Sequence, residues 1–487
     1  MNSATQHTLP IVPPLWNHQI DAIKRASNRF ALFFDPGCGK TRTAIELYKK
    51  SCDVNSKGER IPRKVVILAP LNVCRNWGNE LKEYLGQDHT VFLVSGQTKA
   101  KKLKILQQFK EQILVKPTFL ICNIETLRGS AYREILNKCG ASMIIVDESH
   151  NFRAYNSLQT KGLLDLVRNV RPEYLYLLTG TPAPQGEIDL WSTFTLLGKN
   201  SDNFFIWRKK FFDDKNERRR GMANYWPEYV VKQSTKEYFK RLLGECSVTA
   251  RKNEVLDLPP LLRTNIYAEL SPEQRRYYET MTEFLFAIDE DGNELNAANL
   301  LSRTLRLQQI IAGHLGEVAI ADNPRLEALS DAIEKTNNEQ FIIWTIFKAT
   351  YGQIAAKLDD LGISYGMLTG EQTADERFDA MGRFQAGELK ALIAHPRAGG
   401  VGVNLTAASY SIHYTRNYSL VDDLQAEARN YRGGSERHNR ITRIDIIAPD
   451  TIDEEITEAL REKKSVQDFI LGLKEKHGRE GQRQHVA

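Results

Sequence analysis

Two stretches of this chain alternate short, β-branched apolar runs with amphipathic helical segments, and that order leaves few folds open. Strands that are apolar throughout must be buried on both faces, which is the condition of a parallel sheet covered by helices. In the first stretch ALFF (31–34), KVVILAP (64–70), FLICN (119–123), MIIVDE (143–148) and YLYLLTG (174–180) read as buried strands, with helices predicted over 41–50 and 75–85. The second stretch repeats the plan with QFIIWT (340–345), SYGMLTG (364–370), KALIAH (390–395), YSIHYT (410–415) and TRIDIIA (442–448). Between them, over about 190–320, the pattern turns helical and highly charged. This region holds WRKKFF (207–212), ERRRG (217–221) and LSPEQRRYYETM (270–281), where Ser271-Pro272 reads as a helix start with Pro at the first position. The expected fold class is therefore α/β, two parallel-sheet lobes with a helical, charged insertion between them. The expected boundaries are 1–190, 191–322, 323–475 and a polar tail, 476–487.

A length of 487 residues is too great for one core and fits two or three domains. The composition, 41% hydrophobic and 26% charged, is that of a globular protein. No apolar run approaches the roughly 20 residues needed to cross a bilayer. The opening MNSATQHTLP lacks the basic start and apolar stretch of a signal peptide, so a cytoplasmic address and no membrane partner are expected. Cysteines at 38, 52, 74, 122, 139 and 246 form no CxxC pair, which argues for reduced structural thiols over a zinc site or a disulfide framework. A net charge of +5 permits a polyanionic partner without demanding one.

The chemistry is concentrated in a few motifs. ALFF runs into DPGCGKT and then a helical pattern, the strand–loop–helix order that a phosphate loop requires. Pro36, Gly37, Cys38 and Gly39 would turn backbone amides toward phosphate oxygens. Lys40 would reach the β- and γ-phosphates, and the Thr41 hydroxyl would ligate magnesium. The motif's usual opening glycine is Phe34 here. About a hundred residues on, MIIVDESH ends a hydrophobic strand in two carboxylates, Asp147 to hold magnesium and Glu148 to polarise the attacking water. In LTGTPAPQ (178–185), Thr179 and Thr181 alternate so that both hydroxyls face one side, either linking the phosphate end to a neighbouring domain or simply ending a strand. Late in the chain, RAGGVGVNLTAAS (397–409) is a glycine-rich turn, and Gln425, Arg429 and Arg432 fall on one helical face. Guanidiniums so placed can act as arginine fingers on a γ-phosphate.

In this order, the motifs resemble those of the superfamily-two helicase-like ATPases, most closely the Swi/Snf family of double-stranded DNA translocases, of compact bacterial or phage type. The resemblance runs from Leu15 to about residue 475. LWNHQIDAI (15–23) resembles the family's opening motif, whose glutamine, here Gln19, contacts adenine. VVILAPLNVCRNWGNEL (65–81) and CNIETLR (122–128) resemble motifs Ia and Ib, and LTGTPAPQGEIDLW resembles motif III. TARKNEVLDLPPLL (249–262), LSPEQRRYYETM and LTGEQTADERFDAMGRFQAGE (368–388) are similar to segments characteristic of that subfamily. Two stretches depart from it. YTRNYS (414–419) lacks both aspartates of the corresponding family motif and has Tyr418 at its tryptophan, and Arg432 is followed by Gly433, Gly434 and Ser435 instead of Ile-Gly-Gln.

The resemblance implies two RecA-like lobes with ATP and magnesium between them and DNA across both. Gln19, Lys40, Thr41, Asp147 and Glu148 come from the first lobe. Gly402, Gln425, Arg429 and Arg432 come from the second. DNA phosphates would be contacted near Pro70, Asn72, Thr126, Gly399 and Gly400. The basic aromatic segment from WRKKFF to ERRRG either grips the duplex or buttresses the first lobe. The expected activity is DNA-dependent ATP hydrolysis driving a monomeric motor along duplex DNA in a bacterial or phage-infected cell, directed by a targeting protein or a DNA structure. A strand-separating DNA or RNA helicase and a non-hydrolysing, ATP-gated DNA-binding protein are the alternatives.

Overall fold

The computed structural model describes residues 14–53, 61–71, 73–95, 97–184, 186–219, 227–290, 297–397 and 404–462, with backbone only for 284–290 and 297–303. They form two compact units divided between Leu256 and Asp257. In the first unit seven strands form one parallel sheet: β1 (Arg29–Phe34), β2 (Lys64–Ala69), β3 (Thr90–Val94), β4 (Thr118–Asn123), β5 (Met143–Val146), β6 (Tyr174–Leu178) and β7 (Ser247–Ala250). Their order across the sheet is β3-β4-β2-β5-β6-β1-β7. The second unit holds a six-stranded parallel sheet, β8 (Leu261–Tyr267), β9 (Phe341–Trp344), β10 (Tyr365–Leu368), β11 (Ala391–Ala394), β12 (Tyr410–His413) and β13 (Ile441–Ile447), in the order β8-β13-β12-β9-β11-β10. The α/β class and its two parallel sheets are as the strand pattern implies.

Every residue of β2, β4 and β5 is buried, which explains why these runs carry no polar alternation. In β9 the two faces feed separate cores. Phe341 and Ile343 pack with Leu329, Ile354 and Leu358, while Ile342 and Trp344 pack with Phe384, Leu389 and Ala426. Apolar faces on both sides of a strand can be satisfied only by helices on both sides, and the amphipathic segments between strands supply them.

The stretch expected as a helical insertion is shared between the units. Residues up to Leu256 join the first, where Trp207, Phe211, Phe212 and Phe239 form an aromatic cluster in its core. Buttressing is therefore what the rings of WRKKFF do, while Arg208 lies over Phe204, Phe205 and Tyr229 and Lys209 points outward. The same stretch also adds a short hairpin, Phe212–Asp214 with Tyr229–Val231, and the edge strand β7. From Asp257 on, it joins the second unit through β8 and the helix Pro272–Glu290, whose start is capped reciprocally by Ser271 and Gln274.

Beneath the second sheet lies a buried ion network. Arg443 on β13 grips Asp423 through two bonds (3.0 and 2.8 Å) and also reaches Asp445 (2.9 Å) and Glu427 (3.4 Å); Arg416 meets Asp445 at 3.3 Å. Burial opposes ionisation of Asp423 and Asp445, but the guanidiniums outweigh it and hold both below the usual carboxylate range. His413, fully enclosed beside Arg443, is driven by burial and then by that cation down to about 3, from an ordinary 6.5. A histidine with a depressed native pKa is neutral when folded and takes a proton on unfolding. Its contribution is thus present above pH 6.5 and lost as the pH falls toward 3. Denaturant unfolding at stepped pH should show His413→Gln losing less stability than the wild type over this interval, the difference reaching up to about 1.4 kcal/mol per pH unit.

Candidate nucleotide site

Three adjacent strands deliver the chemistry to one edge of the first sheet. β1 leads into the glycine loop 35–39, β5 leads into Asp147-Glu148, and β6 lies between them and leads into Thr179. Because all three are parallel, their carboxyl ends open on the same side, where ligands of open α/β sheets bind. The loop itself is shaped by glycine: Gly37 (φ +92°) and Gly39 (φ +75°) occupy left-handed backbone. Gly39 is the N-cap of α2 (Lys40–Ser51), and no side chain caps that helix. Its first amides, its dipole and the Lys40 ammonium thus form an anion-binding end that fits a triphosphate. Lys40 Nζ donates to the Phe34 carbonyl (3.0 Å), so Phe34 contributes by its backbone at the position where the motif normally has glycine.

Gln19, on α1 (Asn17–Arg25), is only 3% exposed and braces this loop. Its Oε1 accepts from the Trp16 amide (2.8 Å) and its Nε2 donates to the Gly39 carbonyl (3.1 Å). A Cβ at Gly39 would come within 2.3 Å of that Nε2. His18 approaches the Cys38 carbonyl at 2.9 Å, stacks on Trp16 and meets the edge of Phe34. Asp35 ties the loop to β7. Its amide donates to the Ala250 carbonyl, and its carboxylate accepts from the Lys252 amide, both at 2.9 Å.

Asp147 is 4% exposed. Burial, then the neighbouring Glu148 charge, pushes its carboxyl up to about 6. Lys40, the Trp77 indole and the Glu148 amide pull the other way. Trp77 lies on α3 (Cys74–Leu85) and donates Nε1–H to Asp147 Oδ2 at 3.0 Å, while the Glu148 amide donates to Oδ1 at 2.9 Å. A hydrogen bond to an ionised group contributes about 1.5–3 kcal/mol, which helps keep this buried carboxylate charged. Glu148 itself sits at φ +47°, a left-handed backbone that costs a side-chain-bearing residue about 1–2 kcal/mol.

Glu148 Oε2 lies 3.2 Å from His150 Nδ1, and that nitrogen also lies 2.9 Å from Thr179 Oγ1 and 3.5 Å from Thr181 Oγ1. An ionised Glu148 only accepts, so Nδ1 carries the proton and His150 fastens the carboxylate to the end of β6. Both threonine hydroxyls therefore face one side, though the cause is a turn: β6 stops at Leu178, and the Thr181 amide donates back to Thr179 Oγ1. Gly180 between them lies against the loop, with a Cβ there only 2.7 Å from Pro36 Cδ.

At the residues expected to meet DNA, Pro70 follows β2 and its carbonyl accepts from the Val73 amide (2.9 Å). The Thr126 hydroxyl is buried and donates to Asn123 Oδ1 (2.9 Å), so a phosphate contact from that side chain would require exchanging this bond. Asn72, Gly399, Gly400 and Gly402, like the expected tail, lie outside the described residues.

In the second unit, the expectation of one helical face for Gln425, Arg429 and Arg432 is corrected. The helix Leu420–Glu427 carries Gln425 but ends before both arginines. The Arg429 carbonyl accepts from the Leu405 amide (2.9 Å) and Asn430 donates to the Ala408 carbonyl (3.3 Å). With the Arg429 carbonyl turned to the 404–409 segment the regular helix stops, although the Tyr431 amide still reaches the Glu427 carbonyl (3.1 Å), and Gly434 at φ +102° completes the turn. The departures in YTRNYS are also accommodated. Thr415 is buried and bonds Thr345 Oγ1 (2.9 Å) and the Ile346 amide (2.8 Å), Asn417 donates to Asp422 (2.6 Å), and Tyr418 fills an apolar core with Ile311 and Ile456.

Sequence reasoning missed Trp77, His18 and His150 as members of the site. Trp77 lies 70 residues from Asp147, and no spacing rule joins them. His150 was part of the DESH motif, but only the fold brings Thr179 to its ring.

Residues 22–315 match the SNF2-related domain, and residues 324–434 match the helicase conserved C-terminal domain. The chain belongs to the SNF2-related family. An uncharacterized ATP-dependent helicase of Mycoplasma genitalium is 25% identical over 452 residues, covering 90% of this chain and 40% of that protein. The putative ATP-dependent helicase/translocase YwqA of Bacillus subtilis is 26% identical over 456 residues, 90% of this chain and 46% of YwqA. This SNF2-related chain thus spans about two-fifths to one-half of the length of these relatives. Among solved structures, a Sulfolobus solfataricus SWI2/SNF2 ATPase core in complex with dsDNA is similar at 23% identity, covering 92% of this chain and 91% of that one with a TM-score of 0.41.

Gly39→Ala should disturb the loop twice, through a left-handed backbone costing about 1–2 kcal/mol and through displacement of Gln19. A fluorescent nucleotide titration is expected to show affinity falling by about tenfold, which corresponds to 1.4 kcal/mol.

Proposed function

We propose that this chain is a DNA-dependent ATPase that translocates on double-stranded DNA, remodelling DNA or protein–DNA complexes. The observation that carries the reading is the convergence of Lys40, Asp147, Glu148, His150 and Thr179 at the carboxyl ends of three neighbouring parallel strands. Lys40 and the amides opening α2 bind the triphosphate, and Gln19 steadies the loop beneath it. Thr41 and Asp147 are assigned to hold a magnesium ion, which would supply charge neutralisation at the phosphates. Glu148, oriented by His150, polarises the attacking water. Thr179 and Thr181 connect that carboxylate to the end of β6 and serve as the coupling element. Arg429 and Arg432 are assigned the role of arginine fingers.

DNA as the partner is supported by the names of relatives; the choice of duplex is our reading. One is called a helicase/translocase, and another, 24% identical over 491 residues, is the DNA repair and recombination protein RAD54-like of Drosophila persimilis. Pro70, Asn72, Thr126, Gly399 and Gly400 are the proposed phosphate-contacting positions. We read the division of labour as a nucleotide-binding lobe to about residue 190, a connecting region to 322 and a second lobe to 475, working as a cytoplasmic monomer directed by a separate targeting protein.

The test is the rate of phosphate release with duplex DNA, single-stranded DNA and RNA in parallel. Duplex is expected to stimulate most, and stronger stimulation by RNA would overturn the choice of track. Lys40→Ala should weaken ATP binding, whereas Glu148→Gln should keep binding and abolish turnover, as measured by nucleotide titration beside single-turnover hydrolysis. Arg432→Ala should lower turnover while leaving nucleotide and DNA affinity intact; normal hydrolysis by that variant would remove the finger assignment.

A further inference from the structure

We infer that Trp77 is a positioning residue that couples the Pro70 end of the loop entering α3 to the carboxylate of Asp147, so that a load on that loop is felt at the nucleotide site. The inference rests on the reading of the chain as a DNA-dependent ATPase. Asp147 is held from two directions. Its main-chain amide donates to the Leu68 carbonyl (2.8 Å) near the end of β2, and its side chain accepts from the Trp77 indole (3.0 Å). The chain between those anchors is the segment proposed to meet DNA.

That segment is fastened to α3 by short-range bonds. The Pro70 carbonyl accepts from the Val73 amide (2.9 Å) and from the Cys74 thiol (3.4 Å), and the Trp77 amide donates to the Val73 carbonyl (3.0 Å). Cys74, Trp77 and Leu81 form the buried stripe of the helix, so its first turn is gripped by the core as one piece. Leu71, in contrast, is 51% exposed, and the Ser95 hydroxyl reaches its carbonyl at 3.3 Å. A displacement at Pro70 therefore passes through Val73 and the first turn of α3 to an indole whose only polar atom ends on Asp147. A buried Trp must place its N–H on an acceptor, whereas an apolar ring would fill the same space without one. Here the acceptor is the carboxylate proposed for magnesium. Trp77 and Asp147 are 70 residues apart in sequence.

The experiment is a linkage measurement on the full chain. The affinity for a fluorescent, slowly hydrolysed ATP analogue with magnesium is measured with and without saturating short duplex DNA, and the ratio of the two affinities is the coupling. In the wild type this ratio is expected to lie between about 5 and 150. In Trp77→Phe, which keeps an aromatic ring but lacks the donor, it should fall to within about twofold of unity, whatever the lost bond to Asp147 does to nucleotide affinity alone. A residue that merely filled the core would lower the unfolding temperature and both affinities without selectively removing the ratio. As a second variant, benzothienylalanine at position 77 replaces the indole N–H by sulfur at nearly the same shape. It should reproduce the loss, and if Trp77→Phe folds poorly this variant decides. A wild-type ratio retained in the benzothienyl variant overturns the assignment alone. A wild type in which duplex changes neither nucleotide affinity nor hydrolysis overturns the proposed function and this assignment together.

Discussion

Two adjacent carboxylates must be kept buried and charged at the end of a strand, and much of the first unit is arranged around that requirement. Asp147 and Glu148 are 4% and 2% exposed, and burial pushes the Asp147 carboxyl up. What offsets it comes from three directions: the Trp77 indole from the α3 side, the Lys40 charge from the phosphate loop, and His150 between Glu148 and Thr179. Each partner is supplied by a different segment, so the site exists only when the sheet order is correct. The left-handed backbone of Glu148 belongs to the same arrangement, turning its amide back onto Asp147.

The second unit solves a related problem with full ion pairs. Arg416 and Arg443 are matched by Asp423, Glu427 and Asp445, all at or near full burial. Two of these acids, Asp423 and Glu427, lie on the helix that immediately precedes Arg429. The network thereby fixes the helix end from which the two candidate finger arginines depart, and breaking one partner would leave a buried charge uncompensated. Thr415 and Asn417, which stand where the family motif carries aspartates, add no further charge to this region: Thr415 bonds the Thr345 hydroxyl and Asn417 donates to the Asp422 carboxylate.

The central strands of both sheets were legible because burial on two faces leaves little room for any but apolar residues. Of the four edge strands only β10 was read. The residues of β3 and β8 are partly exposed and mixed in character, β7 is short and carries Ser and Thr, and β7 and β8 sit inside a region whose charge suggests helices. The aromatic cluster of Trp207, Phe211, Phe212 and Phe239 was legible as aromatic content but not as core, because its ring contacts join segments some thirty residues apart. The helical face drawn through Gln425, Arg429 and Arg432 failed for a related reason. Periodicity counts residues, but the Leu405 amide takes the Arg429 carbonyl that would have continued the helix.

By itself the sequence determined the fold class and the family, and it marked the glycine loop and the acidic pair as candidates, since each depends on local residue order: a strand into glycines, a lysine at a helix start, two acids after an apolar run. Tertiary structure alone decided which groups meet. It put β6 between β1 and β5, so that Thr179 and Thr181 face His150, and it brought Trp77 across 70 residues to Asp147. It also turned the backbone of Phe34, the residue that breaks the loop motif, into an acceptor for Lys40. The physical reason is the same in each case. A motif specifies the chemistry of its own side chains, whereas the protonation and orientation of a buried group are set by partners whose sequence distance carries no signal.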